Sequence, residues 1–170
     1  MGCDIHMFIE YSEEPKKKKE KKWRAFGPGF IAGRNYKMFG ILADGVRSYH
    51  PKAFEQKGLP NDLSEDVSQE AFYKISEGIG DKVINLHEAI NWEKRCGSKI
   101  IYENGIPSLV LDPNIHSHSW LTIKEFERAL KIYEKNSMGM APTEYKALFS
   151  IMETFKKDGY DVRAVFWFDS

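Results

Sequence analysis

Three groups of residues in this chain have types and spacings suited to chemistry. The first is Asp4 with His6, near the start. The alternation along CDIHMFIEY puts both on one face of a strand, as two potential metal ligands or proton carriers. The second is DPNIHSHSW, where His116 and His118 stand two apart, a spacing that turns both imidazoles to one side of an extended segment, with Asp112 close by. Brought together, Asp4, His6, His116 and His118 would supply enough nitrogen and oxygen donors for a divalent metal such as zinc or manganese, leaving a position for a water that could attack a substrate. The same residues also have a purely structural reading. Asp112 can open a turn before Pro113, His116 can cap backbone groups, and Asp4 and His6 can form a hydrogen-bonded pair on a half-buried strand.

The third group is Gly33-Arg34-Asn35-Tyr36. If a helix begins here, its free backbone N–H groups and the Arg34 fork make an anion site, and Tyr36 could stack on a base. Arg47, Trp120 and Trp167 are further candidates to contact such a ligand. The structural alternative is that Asn35 caps the helix, Tyr36 packs inward and Arg34 pairs with a carboxylate.

Other chemistries lose support at once. GxSxG, HExxH, P-loop and dinucleotide glycine patterns are absent from the sequence. Cys3 alternates to the strand face opposite His6, which weakens a thiol nucleophile. Two cysteines in 170 residues, Cys3 and Cys96, do not make a disulfide scaffold or a CxxC zinc site. Lysine plus arginine equals aspartate plus glutamate, at 25 each, so a surface that neutralises many duplex phosphates is disfavoured. No apolar run reaches the roughly 18 residues needed to span a membrane. The acidic opening MGCDIHMFIE does not read as a secretory signal, and His6 stands where a myristoylation motif wants Ser or Thr, so a cytoplasmic location is expected.

These side chains must be positioned by elements that the hydrophobic pattern predicts. Residues 3–11 alternate as a strand, and WRAF can return as its hairpin partner across SEEPKKKKEKK, a charged stretch expected to form a mobile loop over 12–22. A short helix is expected from Tyr36 to Ala43 with Asn35 as its cap. The middle of the chain suggests helices over 65–78 and 83–94, followed by a hairpin turning at Asn104-Gly105. Thr122 and Glu125 form a capping box ahead of one amphipathic helix, and TEYKALFSIMETFKKDG gives a second that stops at Gly159. YDVRAVFWFDS closes the chain as a strand, with Arg163, Val165, Trp167 and Asp169 on one side. If this strand pairs with the first, Asp4 and His6 face Trp167 and Asp169. Together these elements predict one α+β domain over 1–170, with a small, mainly antiparallel sheet that includes both terminal strands and packs against several helices.

The blocks MGCDIH, GRNYKMFGILADGVR, KGLPNDLS, HSHSWLTIKEF and VRAVFWFD also resemble a family of small uncharacterised proteins of bacteriophages and bacteria. The resemblance covers about two fifths of the chain and assigns no reaction. It implies a phage accessory protein in the host cytoplasm, with counter-defence by capture of nucleotide signals as one such role. From the residues and this setting, the leading expectation is a protein that binds and sequesters a small nucleotide or phosphorylated ligand. The first alternative is a metal-dependent hydrolase or phosphodiesterase acting on such a ligand, and the second is a protein-binding inhibitor. A homo-oligomer is compatible with each.

Overall fold

The computed structural model describes residues 2–12, 21–43, 53–137 and 139–169. Most of the expected lysine-rich loop, residues 13–20, and the candidate ligand residue Arg47 lie outside the described residues. The fold is α+β, and its contacts divide the chain into two compact units: Met1–Ser64 with His116–Ser170, and Glu65–Ile115.

The first unit is built on a sheet in the order β2-β1-β9-β8, from β1 (Asp4–Ser12), β2 (Trp23–Ala25), β8 (Ile115–Thr122) and β9 (Val162–Asp169). A further strand, β3 (Phe30–Ala32), pairs with β1 beside Ile5–Met7, while β2 pairs with it beside Glu10–Ser12. The long antiparallel ladder is between the two terminal strands, with Asp4 opposite Asp169, His6 opposite Trp167 and Glu10 opposite Arg163. The register follows from period-two alternation, because a slip of one residue would turn Ile5, Met7, Ile9, Ala164, Phe166 and Phe168 away from the core they fill.

Three helices close that core face: α1 (Tyr36–Leu42), α4 (Ile123–Ser137) and α5 (Thr143–Lys157). They contribute Met38, Phe39, Ile41, Phe126, Leu130, Tyr145, Leu148 and Met152. Their ends are where the sequence predicts. The Asn35 side chain accepts from the Met38 amide at 3.0 Å, and Thr122 and Glu125 exchange the reciprocal bonds of a capping box.

The second unit holds α2 (Glu65–Ala71), β4 (Phe72–Ile75), β5 (Val83–Ile84), α3 (Leu86–Cys96), β6 (Ile100–Glu103) and β7 (Ile106–Leu111), with sheet order β5-β4-β7-β6. Asn104 and Gly105 both have positive φ, 51° and 80°, which is the geometry that the expected Asn-Gly hairpin turn requires. The helix expected over 65–78 ends at Ala71. Phe72–Ile75 becomes a strand because it gains partners on both sides, β7 antiparallel and β5 parallel, and Phe72, Tyr73 and Ile75 suit a pleated surface. A helical repeat of apolar residues cannot report that competition.

Candidate functional site

At one end of the β1–β9 ladder the sheet brings together much of the first sequence cluster. Asp4 is gripped by Arg34 through two hydrogen bonds, Nε to Oδ1 at 2.6 Å and Nη2 to Oδ2 at 2.7 Å. The Arg34 hydrogen bond and charge hold the Asp4 carboxyl below the usual range. His6 Nε2 lies 2.8 Å from Asp169 Oδ2, and its ring stacks over Trp167 at 6.4 Å. The cross-strand facing of Asp4 and His6 with Trp167 and Asp169 is therefore real, and its members are paired with one another.

The proposed anion site at Gly33–Tyr36 is arranged differently from its functional reading. The Arg34 fork is taken up by Asp4, Asn35 caps α1 and donates from Nδ2 to the Tyr133 hydroxyl at 3.0 Å, and Tyr36 packs against the core. Trp167 is 3% exposed and lies between His6 and Phe8, so no face of its indole is open to a base. The stacking role expected of Trp167 is corrected accordingly, since its ring is buried against His6 and Phe8, while Tyr36, partly buried, meets Phe39 edge-on.

His116 and His118 do not share one open face. Ser117 between them has a φ of 52°, a left-handed residue inside β8, and the alternation that would align the imidazoles does not run through it. The His116 ring stacks on Phe168 at 6.1 Å, and its Nδ1 is 3.1 Å from the Ser117 hydroxyl. His118 Nε2 is buried with no hydrogen-bond partner. Burial, and secondarily the neighbouring His116, press its pKa down to about 4. Asp112 belongs to the other unit, where Oδ1 accepts from the Asn114 amide at 2.9 Å in an Asx turn. Among the described residues no three His, Cys, Asp or Glu side chains form a group that could hold a metal ion. The expected ligand set of Asp4, His6, His116 and His118 is thus not assembled: Asp4 is bound by Arg34, His6 by Asp169, and the His118 Nε2 is buried.

The opposite end of the ladder holds an arrangement that the sequence clusters did not single out. Glu10 and Arg163 face each other across β1 and β9, exposed by 0% and 5%. Glu10 Oε2 accepts from Arg163 Nε at 2.6 Å, and Oε1 accepts from the Ser64 amide at 2.7 Å. The rest of the guanidinium donates to Asp62, from Nη1 to Oδ1 at 2.7 Å and from Nη2 to the backbone carbonyl at 2.9 Å. Burial opposes the Asp62 charge, but the bonds from Arg163 and from Trp23 Nε1 outweigh it and keep the carboxyl below its usual range. Such a pair is tolerated in a dry place because its donors and acceptors are satisfied.

Above this network opens a cavity of roughly 800 Å3, within the first unit. Its lining includes Trp23 on β2 and Trp120 on β8, strands at opposite edges of the four-strand path, with Arg163 between them on β9. The Arg163 guanidinium carbon lies 4.0 Å over the Trp23 ring and 6.0 Å from that of Trp120. Lys57 Nζ sits 4.1 Å over Trp120 and also bonds both Glu125 oxygens at 2.7 Å. One wall is the segment 57–62, fastened to the sheet by bonds from the Lys57 amide to Ser119 Oγ and from the Gly58 amide to the His118 carbonyl. Among the described residues five cations, Lys21, Lys57, Lys124, Lys156 and Arg163, line the cavity against two carboxylates, Asp62 and Asp161. Hydrogen bonding from Lys21 holds Asp161 below the usual carboxylate range.

Of the sequence candidates with described side chains, only Trp120 lines this cavity; Arg34, Asn35, Tyr36, Trp167, Asp4, His6, His116 and His118 do not. The signal that could have found it is the isolated Glu10 in MFIEY and Arg163 in VRAVFWF, opposite charges on the second face of two apolar strands. No family model, curated protein or solved structure matches the chain, so geometry carries the functional reading.

Proposed function

We propose that the protein binds a small nucleotide or related phosphorylated aromatic ligand, and that the ligand occupies the Trp23–Trp120 cavity. The observation that supports this reading is the combination of two indoles with an excess of cations over carboxylates around one concave space. Indole faces accept bases by stacking, and lysines supply the charge a phosphate seeks. Cations already stationed over the rings, Lys57 on Trp120 and Arg163 on Trp23, bring the charge and the stacking surface to the same place. The neutral overall charge of the chain agrees with a small ligand better than with a duplex.

Sequestration fits the cavity better than turnover. Among the described residues its lining contains no histidine or cysteine, and its two carboxylates, Asp62 and Asp161, are held charged by their cationic partners, so neither is a ready proton donor. The test is calorimetric titration with the four common ribonucleoside monophosphates, followed by denaturation and mass analysis of the released ligand. The expected result is a saturable complex that releases intact nucleotide, with Trp120→Ala weakening it by about tenfold or more. Binding unchanged in Trp120→Ala, or no binding at all, would overturn the site, and hydrolysed ligand would replace sequestration with catalysis.

A further inference from the structure

Resting on the nucleotide reading, we infer that the cavity selects ligands with a single phosphate group over di- and triphosphates. The argument is a matching of charges already committed inside the cavity. Arg163 is bound to Glu10 and Asp62. Lys57 is bound to Glu125. Lys21 and Lys156 share one carboxylate, Asp161, at 2.8 and 3.5 Å. Lys124 has no ion-pair partner among the described residues and belongs to the same lining. Among the described residues these five cations thus meet four carboxylates, Glu10, Asp62, Glu125 and Asp161, and one net positive charge is in surplus, on the side of Lys124 and the pair sharing Asp161. A phosphate monoester carries roughly 1.5 to 2 negative charges at neutral pH, nearer to that surplus than any longer phosphate chain.

A longer phosphate chain adds charges that the cavity can meet only by releasing another cation. Arg163 cannot be released without leaving Glu10, fully buried, as an unpaired carboxylate. Lys57 would have to give up two short bonds to Glu125 and its seat over Trp120. The extra phosphates would meanwhile stand near Asp62 and Asp161, both ionised, and like charges at close quarters lower affinity steeply. The aromatic requirement comes from the indoles, so inorganic phosphate alone is a poor substitute, and an uncharged nucleoside leaves the surplus charge unmatched.

The experiment is a titration of the full chain, in EDTA so that no divalent ion neutralises the phosphates, with AMP, GMP, CMP and UMP against ATP, GTP, CTP and UTP, and with adenosine and inorganic phosphate as the separate halves. At least one monophosphate is expected to bind about tenfold or more tightly than its triphosphate and than either half. Asp161→Asn frees Lys21 and Lys156 from their shared partner and is expected to narrow the preference for the monophosphate about tenfold. Affinity that rises with phosphate number, or a preference unchanged in Asp161→Asn, would overturn the charge match while leaving the nucleotide reading in place. No binding by any of the nucleotides would overturn both.

Discussion

The two ends of the β1–β9 ladder carry the same kind of pairing in different surroundings. At one end Asp4 meets Arg34 and His6 meets Asp169, with each of these side chains partly open to water. At the other, Glu10 meets Arg163 with both side chains nearly sealed from solvent. Strand, face and period are shared, so local sequence does not separate them. What differs is the cover: over Glu10 and Arg163 lie Asp62, Ser64 and Trp23. An open ion pair in high dielectric contributes little and forms readily, whereas a sealed one persists only where every lone pair and N–H is met. The first end looked more chemical in the sequence, because it contains a histidine; the second has the cavity.

Breaking the sealed end should have the largest effect. Arg163→Met leaves Glu10 buried without its cation and is expected to lower stability by about 3 to 5 kcal/mol, read as a fall in the urea midpoint. Arg34→Met at the open end should barely move that midpoint. Similar losses in the two variants would erase the contrast.

The contrast is sharpened by two histidines. His6 at the open end has a carboxylate beside Nε2, while His118 has a buried Nε2 with no partner and a folded-state pKa near 4, against 6.5 ordinarily. The unfolded chain therefore takes up a proton at His118 that the folded chain refuses. Its penalty is absent well above pH 6.5 and grows as pH falls from there toward 4, reaching about 2 kcal/mol at pH 5. Urea unfolding at pH 7 and pH 5 should show that loss in the natural chain and a smaller one in His118→Phe. The depressed carboxylates Asp62, Glu125 and Asp161 lose their contributions at lower pH, below the ordinary carboxylate pKa, so they do not imitate it. Equal pH dependence in both chains would refute the role given to His118.

The smallest expected effect lies at the open end itself. Arg34→Ala should leave nucleotide affinity within about twofold, because Arg34 is held by Asp4 and does not line the cavity. A large loss would move the phosphate contact back to the start of α1.

Much of the fold was legible from residue order alone. The capping box at Thr122 and Glu125, the Asn35 cap and the Asn104-Gly105 turn are local devices whose partners lie within a few residues, and each is found where the sequence puts it. The alternation in CDIHMFIEY and VRAVFWFD also fixed which residues would share a face, and so predicted that Asp4 and His6 would meet Trp167 and Asp169 if the terminal strands paired. The strands Phe30–Ala32 and Phe72–Ile75 escaped that reading because short segments become strands only when a distant neighbour supplies the ladder.

The candidate site was decided by tertiary structure. Sequence determined the side chains on each face of β1 and β9, since the pleat alternates with a period of two whatever the strand pairs with. It could not determine which polar residues on the second face would be sealed and which left open. That depended on where Trp23, Asp62 and Trp120, separated by dozens of residues, came to rest around Arg163. Burial is a property of what covers a residue, and the covering chain here is brought in by long-range packing.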